Sequence, residues 1–185
     1  MTQFRTPHNS LSNGLQRGFT LVELVAVIIV MGILGAVGVS NFLDRDTFDS
    51  RAFGDETAAL MRYAQKLAIA QNHDVFVQLS ANRVALCYTA ACATGARVRA
   101  PGGDNNGSAT TIAACNDATW ACAAPPPGIT IATAAAFYFD PLGRPFSIAD
   151  ISPTPNSTFA TLAVGIAGGA QLRMITVEAE TGYVH

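Results

Sequence analysis

From Phe19 to Val39 the chain is apolar and uncharged except for one side chain, Glu23. Coiled at 1.5 Å per residue, that run makes a helix of about 30 Å, the thickness of a bilayer's hydrocarbon core. A stretch this long and this free of charge has little place inside a single globular core, so it predicts a membrane helix. A carboxylate on such a helix costs roughly 2.5–3.5 kcal/mol on insertion scales, which makes Glu23 a functional residue in need of a partner. The candidate partner is a new N-terminal amine at the same depth, since a carboxylate in lipid is tolerable only when neutral or paired.

The residues ahead of the run differ from a secretory signal on each count. Residues 1–17 are long and polar, and the small-residue junction Gly18-Phe19 precedes the apolar run instead of following it. Cleavage there leaves the helix on the product. Arg5 and Arg17 hold the leader in the cytoplasm and send the remainder outward.

Gly18 followed by Phe19-Thr20-Leu21-Val22-Glu23 and a long apolar stretch resembles the cleavage and assembly signature of type IV prepilins and type II secretion pseudopilins. The resemblance implies that a membrane aspartyl protease, the prepilin peptidase, cuts after Gly18. It also implies that Phe19 becomes the N-methylated first residue, and that Glu23 steers assembly by pairing with a neighbouring subunit's N-terminal ammonium. Other pilins, that peptidase and an inner-membrane assembly platform are the implied partners. Within the span Gly32, Gly35 and Gly38 form a stripe where another helix can approach closely.

Half of the 185 residues are hydrophobic and only 13% are charged, which suits one embedded helix plus one compact domain. Removing residues 1–18 lowers Lys+Arg from 11 to 9 while Asp+Glu stays at 13, a side-chain balance of −4. An acidic chain with a single lysine, Lys66, is not built to grip phosphates, and nucleic acid is not an expected partner. Arg97 and Arg99 form one small basic spot, read as solvated loop arginines.

Past Val39 the pattern turns amphipathic. Phe53, Leu60, Met61, Ala64, Leu67 and Ala68 recur at three-and-four spacing, predicting a helix to about Gln71, with a break expected near 40–50 where acids crowd. Strand signals follow at Val75–Leu79 and Arg83–Tyr88, a hairpin turning at Ala81-Asn82. Further strands are expected at Gly128–Ala132, Ala135–Phe139, Phe159–Ile166 and Leu172–Glu178, the last two joined through Gly168-Gly169. The expected fold class is α+β: a long N-terminal helix, transmembrane in its first half and amphipathic in its second, packed on an antiparallel sheet. The expected organisation is a cleaved leader (1–18), a membrane or filament-core helix (19–39), its amphipathic continuation (40–72) and a β-rich head (73–185).

Residues 90–128, rich in Ala, Gly, Thr, Asn and Pro, read as a long irregular surface insertion. Cys87, Cys92, Cys115 and Cys122 bracket it, and in an oxidising compartment four cysteines imply disulfides in one of three pairings. Zinc is not expected, since the spacings are C-x4-C and C-x6-C with no histidine nearby. Asp104-Asn105-Asn106 lacks the spaced acids of a calcium loop and reads as a turn. His8, His73 and His185 have no nucleophile at motif spacing, and the glycines at 165–169 make neither a nucleophile elbow nor a phosphate loop. The expectation is a protein that is not an enzyme and holds no cofactor.

Two further stretches, Phe139-Asp140-Pro141-Leu142-Gly143-Arg144-Pro145 and the ending Ile175 to His185, resemble minor pseudopilins of the GspH/FimT type. With Arg62-Tyr63-Ala64-Gln65-Lys66 the similarity extends to the minor pilins of the mannose-sensitive haemagglutinin (MSHA) pilus system. It implies a subunit that primes or caps a pilus, anchored in the inner membrane with its head in the periplasm. Three alternatives stay open: a type II secretion pseudopilin contacting exoproteins, a DNA-capturing pilin receptor, and an anchored periplasmic protein that never polymerises. The Pro-Leu-Gly turn itself reads as structural, with Gly143 free to take positive φ and Arg144 placed to bond nearby carbonyls.

Overall fold

The computed structural model of the protein describes residues 19–132, 135–150, 156–169 and 171–185, with 36–44 described for their backbone alone. The chain divides into two compact units, Met1–Ser40 and Asn41–His185. Helix α1, Leu21–Gln71, begins in the first and ends in the second. Residues 40–50, where the sequence reading expects a kink or break, have helical backbone, and no proline among them removes a helical N–H.

In the second unit α1 buries Phe53, Leu60, Met61, Ala64 and Ala68, the stripe its periodicity predicts, with Leu67 half-buried at the margin. Opposite this stripe the chain forms two antiparallel sheets, where a single sheet is the sequence expectation. The first has the order β3-β2-β1-β5-β6, from Cys122–Ala123, Arg83–Cys87, Val75–Ser80, Ala135–Phe139 and Pro145–Ser147. The second has the order β4-β7-β8, from Ile129–Ile131, Leu162–Gly168 and Gln171–Val177. Strand β7 starts at Leu162, not Phe159. Phe159 instead packs on Phe137 with ring centroids 5.1 Å apart.

Alternation explains how each sheet faces the helix. In β1, Val75, Val77 and Leu79 point into the core while Phe76 takes the other face, where it meets Tyr138, itself stacked on Phe146. The β7–β8 hairpin turns on Gly169, whose φ of +58° only glycine adopts freely. Gly168 is required for another reason: a Cβ there would lie 2.9 Å from the Asp46 carbonyl and 2.8 Å from the Ser50 side chain, so its absence lets β7 close onto α1.

The insertion is not the irregular surface loop that its composition suggests. It holds a single 3-10 turn at Thr94–Ala96, helix α2 at Ala109–Cys115 and strand β3. Ser108 caps α2 by accepting from the Thr111 N–H at 3.2 Å. Trp120, the one tryptophan, is buried with Ala85, Cys87, Cys115 and Cys122 in a second small core and donates its indole N–H to the Leu86 carbonyl at 2.7 Å. Both faces of β2 are therefore covered, Val84 and Leu86 by the main core and Ala85 and Cys87 by the insertion.

Candidate functional site

The first turn of α1 is organised by Thr20. Its Oγ1 accepts from the Glu23 N–H at 3.2 Å, and its carbonyl accepts from Glu23 and Leu24 at 3.1 and 3.2 Å. Thr20 is thus the cap, Leu21 the first helical residue and Glu23 the third, the threonine-x-x-glutamate arrangement of a capping box. The Glu23 carboxylate belongs to the first turn, where the positive end of the helix dipole favours an anion. A reading of Glu23 as an assembly residue leaves Thr20 out, although threonine three residues before an acid and ahead of an apolar run is itself a legible signal.

From Leu21 through Gly35 the helix is exposed on every face and apolar except for Glu23. Phe19 is 74% exposed and Leu21 79%, and all residues from Phe19 through Gly35 are open. A helix apolar all round is a helix waiting for a non-aqueous surrounding or for other helices. A Cβ placed on Gly32 or Gly35 would meet nothing within 4 Å. Gly38 lies among the residues described for their backbone alone, and Gly18 lies outside the described residues. Among the described residues no helix is long and apolar enough to cross a membrane.

Both disulfides close short turns: Cys87 with Cys92, Cα atoms 5.3 Å apart, and Cys115 with Cys122, 6.1 Å apart. They frame the second core and hold the insertion against β2. The basic spot dissolves in the structure. The Arg97 guanidinium lies 4.2 Å above the Trp120 ring and pairs with Asp117 at 3.2 Å, which leaves only Arg99 exposed. Hydrogen bonds from the Thr119 hydroxyl and N–H, then from Arg97, hold the Asp117 carboxyl below its ordinary range.

A second constellation joins α1 to the end of the chain. Asp140 Oδ1 accepts from the Leu142 and Arg144 N–H groups at 2.9 and 2.8 Å, and Oδ2 takes Arg144 Nε and Nη2 at 3.0 and 2.8 Å. Arg144 therefore bonds a carboxylate, not the carbonyls that the sequence reading assigns it. Gln65 on α1 donates to the carbonyls of both Gly143 and Thr181, at 2.9 and 3.0 Å, and Arg62 Nε donates to the Val184 carbonyl at 3.0 Å. These stretches, read from the sequence as marks of resemblance, meet as one structural clasp. His73 and His185 spend a ring nitrogen each, on the Asp74 carbonyl and the Glu178 carboxylate. Among the described residues no group of three metal-ligating side chains is assembled.

The chain has a capped apolar helix with one acid in its first turn, and an α+β head. Residues 14–39 match the prokaryotic N-terminal methylation motif. Over 55 residues the chain is 44% identical to the type IV narrow pilus major component PilA5 of Thermus thermophilus, covering 30% of this chain and 47% of that protein. Over 67 residues it is 40% identical to the type IV major pilin protein PilE of Neisseria gonorrhoeae, covering 35% of this chain and 38% of that one. The chain spans less than half the length of the curated relatives it matches. A crystal structure of the type IV minor pilin FimU of Pseudomonas aeruginosa is similar to 78% of this chain and 90% of its own, at 13% identity and a TM-score of 0.48. The chain thus carries the prokaryotic N-terminal methylation motif and is similar to type IV pilins over about a third of its length.

Proposed function

We propose that the chain is a minor pilin, a non-enzymatic subunit of the GspH/FimT type that primes or caps a type IV pilus of the MSHA kind. One observation carries the reading: the helix entered at Thr20 is apolar and exposed on every face and bears Glu23 as the only charge between Phe19 and Gly35. Such a surface demands lipid first and neighbouring helices afterwards, and exchange between the two costs little because both are equally apolar. In this reading residues 1–18 are removed after Gly18 by the prepilin peptidase, and Phe19 is methylated. Residues 19–39 then serve as membrane anchor and later as filament core, with Glu23 matched to the Phe19 amine of a neighbour. The head faces the periplasm from the inner membrane, and an assembly platform extracts the subunit. That both relatives are pilus components favours a pilus over a secretion pseudopilus, and the occupied Arg97 removes support for a DNA receptor.

The test is the N-terminal residue and mass of the membrane-extracted protein, with and without a co-expressed prepilin peptidase, in the native chain and in Gly18→Ala. Peptidase-dependent loss of residues 1–18 that leaves an N-methylated Phe19, blocked by the substitution, is the expected result. An intact Met1, or a cut beyond Val39, sinks the reading.

A further inference from the structure

Between α1 and the insertion lies a cleft of 270 Å³ whose apolar lining includes Ala59, Leu60, Ala100 and Pro101. Two carboxylates, Glu56 and Asp104, are the only charged groups among the described residues that line it. Its volume falls below the range of drug-sized ligand sites and suits a single side chain. The walls are fixed in advance. Asn105 donates to the Asp117 carbonyl at 2.8 Å, its backbone N–H reaches the Ala118 carbonyl at 2.7 Å, and Cys122 in the lining is locked to Cys115.

Glu56 receives one hydrogen bond, from Asn106 Nδ2 at 2.7 Å, and has no cationic partner among the described residues. Asp104 makes no hydrogen bond or ion pair among them. Burial pushes the Glu56 carboxyl above its ordinary range, with the Asn106 bond offsetting only part of that effect. A half-buried carboxylate left without a cation beside an apolar lining is a binding element lacking its complement. Calcium fits poorly, because it needs six to eight oxygens and the amide oxygens of Asn105 and Asn106 already accept from Gly107 and Ser108.

We propose that this cleft is a docking site for one basic side chain, lysine or arginine, presented by a partner protein. The aliphatic stem lies along Ala59, Leu60 and Pro101 while the charged head reaches Glu56 and Asp104. Long basic side chains divide between apolar stem and charged tip in just this way. The site lies wholly in the head and does not depend on the prepilin reading.

The test uses the full chain in detergent, methyl-labelled at alanine and leucine, titrated with Nα-acetyl-lysine methylamide and separately with its norleucine counterpart. The lysine probe is expected to shift the Ala59 and Leu60 resonances at about millimolar concentration, and added salt to weaken the effect. Glu56→Gln, which can still accept from Asn106, is expected to weaken binding about fivefold with Trp120 emission unchanged. Equal shifts from norleucine, shifts from calcium alone, or no shift from the lysine probe would each overturn the proposal.

Discussion

At Asp140 one carboxylate serves two backbone N–H groups and both ends of the Arg144 fork, so a turn that sequence marks only by Pro and Gly is held chiefly by its acid. Asp140→Ala is expected to cost about 2 kcal/mol, mostly from stranding backbone donors, and Asp140→Asn about half of that, since the arginine head is partly solvated. Chemical denaturation of the detergent-solubilised chain reads both. Gly182 is a stricter position: its φ is +65°, and a Cβ would sit 2.5 Å from the Gly143 carbonyl oxygen. Gly182→Ala should therefore lose about 2–3 kcal/mol in the same measurement. Asp150 accepts from the Thr158 N–H and hydroxyl and from the Ser147 N–H, which holds its carboxyl below the ordinary range. A depressed folded-state pKa adds stability that is complete above the ordinary carboxylate value and disappears as pH falls through the folded one. Asp150→Asn should accordingly flatten the stability curve below about pH 4, measured by acid titration of the denaturation midpoint.

Elements were legible in proportion to how strongly a single period dominated them. Hydrophobic alternation is enough for β1, and three-and-four spacing for the second half of α1, because burial there acts chiefly on one face. Strands β3 and β6 are two and three residues long and leave no period to detect. The insertion escaped for a different reason. Its Ala, Thr and Asn read as solvent-exposed, yet two disulfides and one tryptophan supply the anchoring that apolar runs supply elsewhere. That account makes a prediction for the element. Replacing Cys115 and Cys122 together by alanine should destabilise the insertion by about 2 kcal/mol and shift Trp120 emission to the red, while the far-ultraviolet dichroism of α1 persists. Unchanged emission would place the anchoring in packing alone. The site at the helix entry divides similarly: Gly18, Phe19 and Glu23 stand out by position ahead of an apolar run, whereas the Thr20 cap needs the hydrogen bond to make its part plain.

For the molecule as a whole, the two units make opposite demands on solvent. The unit Asn41–His185 buries its own core, whereas the described residues from Phe19 through Gly35 bury nothing. A chain shortened to Asn41–His185 is expected to stay monomeric in plain buffer with Trp120 still buried, and the full chain to require detergent, as sedimentation with and without detergent would show. Aggregation of the shortened chain would mean that the head, too, needs neighbours. The clasp has a consequence in time. Arg62 bonds a carbonyl 122 positions later, and Gln65 one 116 positions later. Contacts of that separation cannot form until nearly all of the chain is available, and they slow folding by the entropy of the loops they close. In a chain emerging from its N-terminus first, Arg62 and Gln65 of α1 therefore wait for Val184 and Thr181 before the clasp can close.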